Sequence, residues 1–269
     1  MSALRRHPLI TFFVLTFVIS WGFLPFEAVG FVAGGPFIAA LIVAPLTQGW
    51  AGLRDLGSRI IRWRVGWCWY ALAIGLPLAV HLLTVVLNVA LGAPAPSLAQ
   101  FSPWYAVLVV FAVRLVNPAD GPLGEEPGWR GFAQPRLQAN RSPLLATLIL
   151  ALLVTVWHVP TFILEAGLQP SYILGGVVAT LAVTFWYAWL FNRTGGSVLM
   201  TLIAHAAEGS IQVGAFWPAG AAGRIILVYA AVWCVVAIGL VVLDWRFWRG
   251  SAPAPATVQP AYQAAPRVR

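Results

Sequence analysis

Long apolar runs succeed one another along the chain, separated by short stretches that hold arginine, proline or glycine. Most approach the ~20 residues a helix needs to cross the hydrocarbon of a bilayer. They lie at 8–26, 29–46, 67–91, 104–116, from Arg141-Ser142-Pro143 to about Leu164, and at 172–191, 196–216 and 225–243. This predicts an all-α, polytopic transmembrane bundle of about eight spans. Between the second and third runs, Arg54, Arg59, Arg62 and Arg64 alternate with Leu53, Leu56, Ile60, Ile61 and Trp63. Such spacing fits a basic amphipathic segment at 52–66 lying on a membrane surface. The first run follows Arg5 and Arg6 as a signal peptide would, but it is too long for one and has no convincing cleavage site, so a retained span is expected. Residues 1–249 read as a single transmembrane domain and the Ala/Pro-rich 250–269 as a disordered cytoplasmic tail.

Composition agrees with the pattern. Hydrophobic residues make up 60% of the chain and charged residues 9%, against about 45–50% and about 25% in soluble domains. The net charge of +8 comes from 16 arginines with no lysine, spread between the spans. No basic stripe with interleaved aromatics supports a nucleic-acid partner, and membrane lipids with anionic headgroups are the expected one. Cys68 and Cys234 fall in apolar segments and read as small hydrophobes. With eight spans, every arginine except Arg114 and Arg224 falls on one side, so the positive-inside rule puts both termini in the cytoplasm. The expected location is a cell membrane, of the bacterial cytoplasmic type.

Against so apolar a background the few acids are conspicuous. Gly124-Glu125-Glu126-Pro127-Gly128-Trp129-Arg130-Gly131-Phe132 sets two of the chain's eight carboxylates at the expected cytoplasmic end of the fourth span. On a helix Glu126 and Arg130, at i and i+4, pair on one face, while Glu125 lies about 100° round and is left for chemistry. The bland alternative is a solvated pair of acids at a helix end. Asn117-Pro118 and Gly121-Pro122 break the helix just before, and broken backbone at membrane depth needs protein or water around it; a polar cavity is expected near Glu125. His158 precedes Pro160 within a later span, and either serves chemistry or is a hydrogen-bonded core residue. His205 has Glu208 at i+3, which suits two ligands of one metal or a satisfied buried pair. His81 has no acidic neighbour and reads as packing or headgroup contact. Arg114, with Asn117 at i+3, can line the cavity, snorkel, or pair with Asp120. Two carboxylates and two histidines from three spans can activate water directly or through Zn²⁺ held by Glu125, His158, His205 and Glu208.

These residues resemble the motifs of the CPBP family of intramembrane metalloproteases, of the glutamic type, also known as the CAAX-protease and bacteriocin-processing or Abi family. Glu125, Glu126 and Arg130 match its EExxxR motif. His158 matches FxxxH, with Val154 at the Phe position, and His205 matches HxxxN/D, with Gly209 at the amide or acid position. The resemblance covers roughly 104–216. It implies a helical bundle with a cytosol-facing polar cavity, and a CAAX prenyl protease-like endopeptidase acting on a peptide or protein substrate near the cytoplasmic face. Glu125 and His158 would activate the water, and His205 with the family's amide would stabilise the oxyanion or complete a metal site. Val154 is a mild packing change, whereas Gly209 touches the site; Glu208 is the expected substitute for the missing side chain. Gly209 also keeps open a non-catalytic relative, a membrane scaffold or bacteriocin-immunity factor. A proton-coupled transporter would be expected to show inverted repeats or paired broken helices; the chain shows one broken span.

Overall fold

The computed structural model describes residues 6–26, 30–217 and 222–250. The tail expected at 250–269 lies, beyond Gly250, outside the described residues. Within them every regular element is helical: α1 (Pro8–Trp21), α2 (Gly35–Gln48), α3 (Trp50–Ile60), α4 (Trp67–Ala90), α5 (Ala106–Val116), α6 (Gly121–Glu126), a π-helical segment (Pro127–Ala133), α7 (Gln134–Gln138), α8 (Pro143–Ala166), α9 (Pro170–Arg193), α10 (Val198–Gly209), α11 (Ala222–Leu243) and α12 (Trp245–Arg249). Among the described residues six stretches are long and apolar enough to cross a membrane, and the chain is a multi-pass membrane protein. The first two apolar runs give shorter helices than expected, 14 residues each. At ~1.5 Å per residue these reach ~21 Å, short of the ~30 Å hydrocarbon core.

Two ends of the bundle are defined by hydrogen bonds between loops. At one end, Ser197 donates to the Arg62 carbonyl at 2.6 Å and Arg62 to the Gly195 carbonyl at 2.7 Å. Arg136 donates to Gln48 there at 2.7 Å, and Arg193 pairs with Asp244. At the other end, Trp217 donates to the Pro94 carbonyl at 3.0 Å and Arg224 to Asn88 at 2.9 Å. The arginine-rich loops therefore gather at one end, as the span count requires.

The 52–66 segment does more than lie on a surface. Helix α3 buries Leu56, and Arg59 turns inward to Asp55 at 3.0 Å. The fourth span also differs from expectation, because α6, the π segment and α7 continue past the break at 117–120 and reach Arg136. Glu125 thus lies in the middle of the span, at the start of its second half. Gly128 makes this possible: a Cβ there would lie 2.5 Å from the Pro36 carbonyl carbon, so only glycine lets the π turn rest on α2. Such π turns are rare and recur at functional sites.

Packing forms two main clusters. One joins α4, α9, α10 and α11 around Trp186, Met200 and Trp233, and the other joins α1, α2, the π segment and α8 around Phe12, Trp129 and Trp157. Helix α6 packs between α2 of the second cluster and α10 of the first. That placement puts its two glutamates at the seam.

Candidate active site

Helix α6 begins at Asp120, whose side chain caps it by accepting from the Gly121 amide at 2.6 Å. One turn on, Glu125 and Glu126 point in different directions, as their ~100° offset requires. Glu126 is fully buried and pairs with Arg130, itself 2% exposed, at 2.9 Å. The same carboxylate oxygen, Oε1, lies 3.0 Å from Nδ1 of His205 on α10. A carboxylate only accepts, so Nδ1 carries the proton and Nε2 is left for the cavity. Tyr187 of α9 fills the space between: the Arg130 guanidinium lies 4.9 Å over its ring, and the His205 ring stacks on it at 5.3 Å.

Glu125 is turned to the other side. Its Oε2 accepts from Trp129 Nε1 at 3.3 Å and lies 3.8 Å from His158 Nε2. His158 Nδ1 sits 2.8 Å from the Val154 carbonyl oxygen, an obligate acceptor, which fixes the proton on Nδ1. Two acceptor atoms, one carboxylate oxygen and one imidazole lone pair, therefore face each other across a gap too wide for a direct hydrogen bond. The other oxygen of Glu125 lies beside His205. A Cβ at Gly121 would be 2.9 Å from Glu125 Oε1 and 3.4 Å from His205 Nε2, so the two groups share one small space. All three residues line a cavity of about 700 Å³, which continues into a recess of about 210 Å³.

The structure thus brings Glu125, His158 and His205 together, with Glu126 and Arg130 behind them. Glu208 borders the same cavity, but its carboxylate is taken by the Tyr229 hydroxyl. His81 also lines the cavity, with Nδ1 bonded to the Pro77 carbonyl at 2.7 Å. Of the open choices for Arg114, two hold at once: it pairs with Asp120 at 3.2 Å and lines the cavity. Among the described residues no three His, Cys, Asp or Glu side chains converge as ligands of one metal. Of the expected metal set, Glu208 is engaged by Tyr229, whereas Glu125 and the Nε2 atoms of His158 and His205 would be the groups to hold a Zn²⁺, which would supply Lewis-acid activation of water; no step below is routed through one. Sequence reasoning missed Trp129, although it stands at i+4 from Glu125 by the same spacing that pairs Arg130 with Glu126. It also missed Tyr187 and Tyr229, whose contacts cross between helices and leave no periodic signal.

The cavity opens at one end only in terms of its lining. Gln212, Glu165 and Tyr172 border it, from the end that carries Arg224 and the 88–101 loop. The arginine-rich loops contribute nothing to it.

The polytopic helical bundle thus brings paired glutamates and two histidines together at mid-depth. Residues 100–210 match the family model described as type II CAAX prenyl endopeptidase Rce1-like, and over this segment the chain is similar to that family. The match contains Glu125, Glu126, Arg130, His158 and His205. No curated protein matches the chain.

Proposed function

We propose that this chain hydrolyses a peptide bond with a water held between Glu125 and His158. The observation that carries the reading is the 3.8 Å gap between Glu125 Oε2 and His158 Nε2, with the histidine tautomer fixed from behind. A water donating one hydrogen to each acceptor at ~2.8 Å spans such a gap. Glu125 takes the proton as the water oxygen attacks, and His158 aligns that oxygen. Trp129 holds the carboxylate in place, and Glu126 does the same for His205, whose Nε2 faces the reacting groups. Trp157 and Phe162 flank the His158 ring, at 4.7 and 6.0 Å between ring centroids.

The substrate class follows the family: a peptide with an S-prenylated cysteine near its C-terminus, entering from the membrane. The test is cleavage of a farnesylated peptide, and of its unprenylated counterpart, by the purified protein in detergent, read by mass spectrometry. Glu125→Gln keeps the shape of the side chain but cannot accept the proton, and the expected result is loss of cleavage with normal insertion. Full activity in that variant would sink the reading. The competing reading, a non-catalytic scaffold or immunity relative, is favoured by Gly209 alone, which supplies no donor where the family carries one.

A further inference from the structure

Gly209 stands one turn after His205, and its missing side chain is not replaced by empty space. A Cβ at 209 would lie 2.6 Å from Cζ and 2.8 Å from Nε of Arg114, nearer than real Cβ atoms approach anything. No residue with a side chain fits there while the guanidinium stays. The cation reaches this place from α5, and it is anchored by one contact: Nη1 lies 3.2 Å from Asp120 Oδ1, the oxygen that also caps α6. Asp120 thus fixes the guanidinium at the start of the helix that carries Glu125 one turn later. A guanidinium has five N–H donors in a rigid fork, and this one is not saturated. Its Nε is buried and has no hydrogen-bond partner among the described residues. The side chain lines the same cavity as Glu125, His158 and His205.

We infer that Arg114 is the oxyanion donor of this site, standing where the family's third motif carries a side-chain amide. The inference rests on the hydrolase reading above. As the water oxygen bonds to the scissile carbonyl carbon, its proton passes to Glu125, and the C=O π pair moves to the carbonyl oxygen. That oxygen becomes the oxyanion, and Arg114, on the wall of the same cavity, is the cation whose N–H groups would receive it. Collapse re-forms C=O, breaks the C–N bond and returns the proton from Glu125 to the leaving amine. A fixed donor in a site sheltered from water is worth most where charge develops, so its removal lowers kcat more than it raises KM. Glu208, the substitute expected from sequence, is an acceptor held by Tyr229 and supplies no such donor.

The test uses the full chain in detergent with the farnesylated peptide, and refers kcat to the monodisperse fraction so that yield does not enter. Arg114→Ala is expected to lose about 10²–10³ in kcat; Arg114→Gln, which removes the cation and keeps a polar group for Asp120, gives the same reading where the alanine variant is recovered poorly. Gly209→Asn, which displaces the guanidinium, is expected to lose at least about tenfold. In the Arg114→Ala background the same Gly209→Asn change is expected to restore at least about tenfold, because the amide then has room, and added guanidinium ion is expected to raise kcat of Arg114→Ala. Unchanged kcat in Arg114→Ala, or a gain from Gly209→Asn in the otherwise native chain, overturns the inference. If Glu125→Gln is inactive while Arg114→Ala is fully active, only the role of Arg114 falls. If Glu125→Gln is active, the hydrolase reading falls with it.

Discussion

Arg130 and His205 share a single acceptor: Oε1 of Glu126 lies 2.9 Å from Arg130 Nη1 and 3.0 Å from His205 Nδ1. One buried carboxylate thus sets both the cation that neutralises it and the orientation of a histidine on another helix. Removing one partner of such a pair leaves an uncompensated buried charge, which costs about 3–5 kcal/mol. Arg130→Ala is therefore expected to lower the folded yield and thermal stability in detergent. The double variant Glu126→Leu/Arg130→Met is expected to recover much of the stability and none of the peptide cleavage, since His205 is then without its anchor. Equal stability of Arg130→Ala and the native chain in a thermal-shift measurement would contradict the pair's role.

His158 has a narrower task. Its Nδ1 is committed to the Val154 carbonyl, so only Nε2 meets the water beside Glu125. His158→Ala is expected to lower kcat by about 10²–10⁴ with KM little changed and thermal stability nearly native, because the ring is only partly buried. A KM effect without a kcat effect, measured on the farnesylated peptide, would move His158 from chemistry to substrate binding.

Much of this site was legible in the sequence, and the part that was not has a common cause. The Glu126–Arg130 pair follows from a spacing of four on one helix, and the break before Glu125 follows from Pro118 and Pro122. The order of glutamates and histidines along the spans carries the family resemblance. Contacts between helices are another matter. Nothing in the periodicity of α9 marks Tyr187 as the plate between Arg130 and His205, and nothing local to Gly209 announces that Arg114 fills its space. The depth of Glu125 was misjudged for a local reason: Asn117-Pro118 and Gly121-Pro122 read as the end of the fourth span, whereas α6 and the π turn carry the helix on to Gln138.

Outside the membrane-spanning segments, Asp244 ties α11 and α12 to α9 through Arg193 and through Trp189 at 2.7 Å. Burial disfavours its charged form, but the hydrogen bonds from Arg193 and Trp189 and the charge of Arg193 outweigh that and hold its pKa below the ordinary 3.8. The sign follows: the stabilisation is present in full above the unfolded value and is lost as pH falls through the lowered one. Asp244→Asn is expected to remove that acid-side loss. Arg193 is 40% exposed, so the effect stays within about 1 kcal/mol, and melting curves between about pH 2 and pH 6 in detergent would reveal it. A difference between the two proteins that grows toward low pH would reverse the assignment.

The last prediction concerns the side from which substrate enters. Arg62, Arg136 and Arg193 lie at the end where Ser197 meets the 61–66 loop, and the positive-inside rule places that end in the cytoplasm. The cavity opens at the opposite end, where Glu165, Tyr172 and Gln212 form its rim. Helix α4 is 24 residues long and connects the two ends, so reporter fusions after Gly66 and Ala95 are expected to report opposite sides, with Gly66 cytoplasmic. Single cysteines introduced at Gln212 and at Arg64, with Cys68 and Cys234 replaced, extend the test to the cavity mouth. A membrane-impermeant thiol reagent added to intact cells is expected to label the 212 position and spare the 64 position. The reverse pattern would mean that the arginine-rich end faces outward and the cavity faces the cytosol, and that the charge rule fails for this chain. Labelling of both positions in intact cells, with control cytosolic thiols protected, would show that the two loops lie on one side and that α4 does not cross.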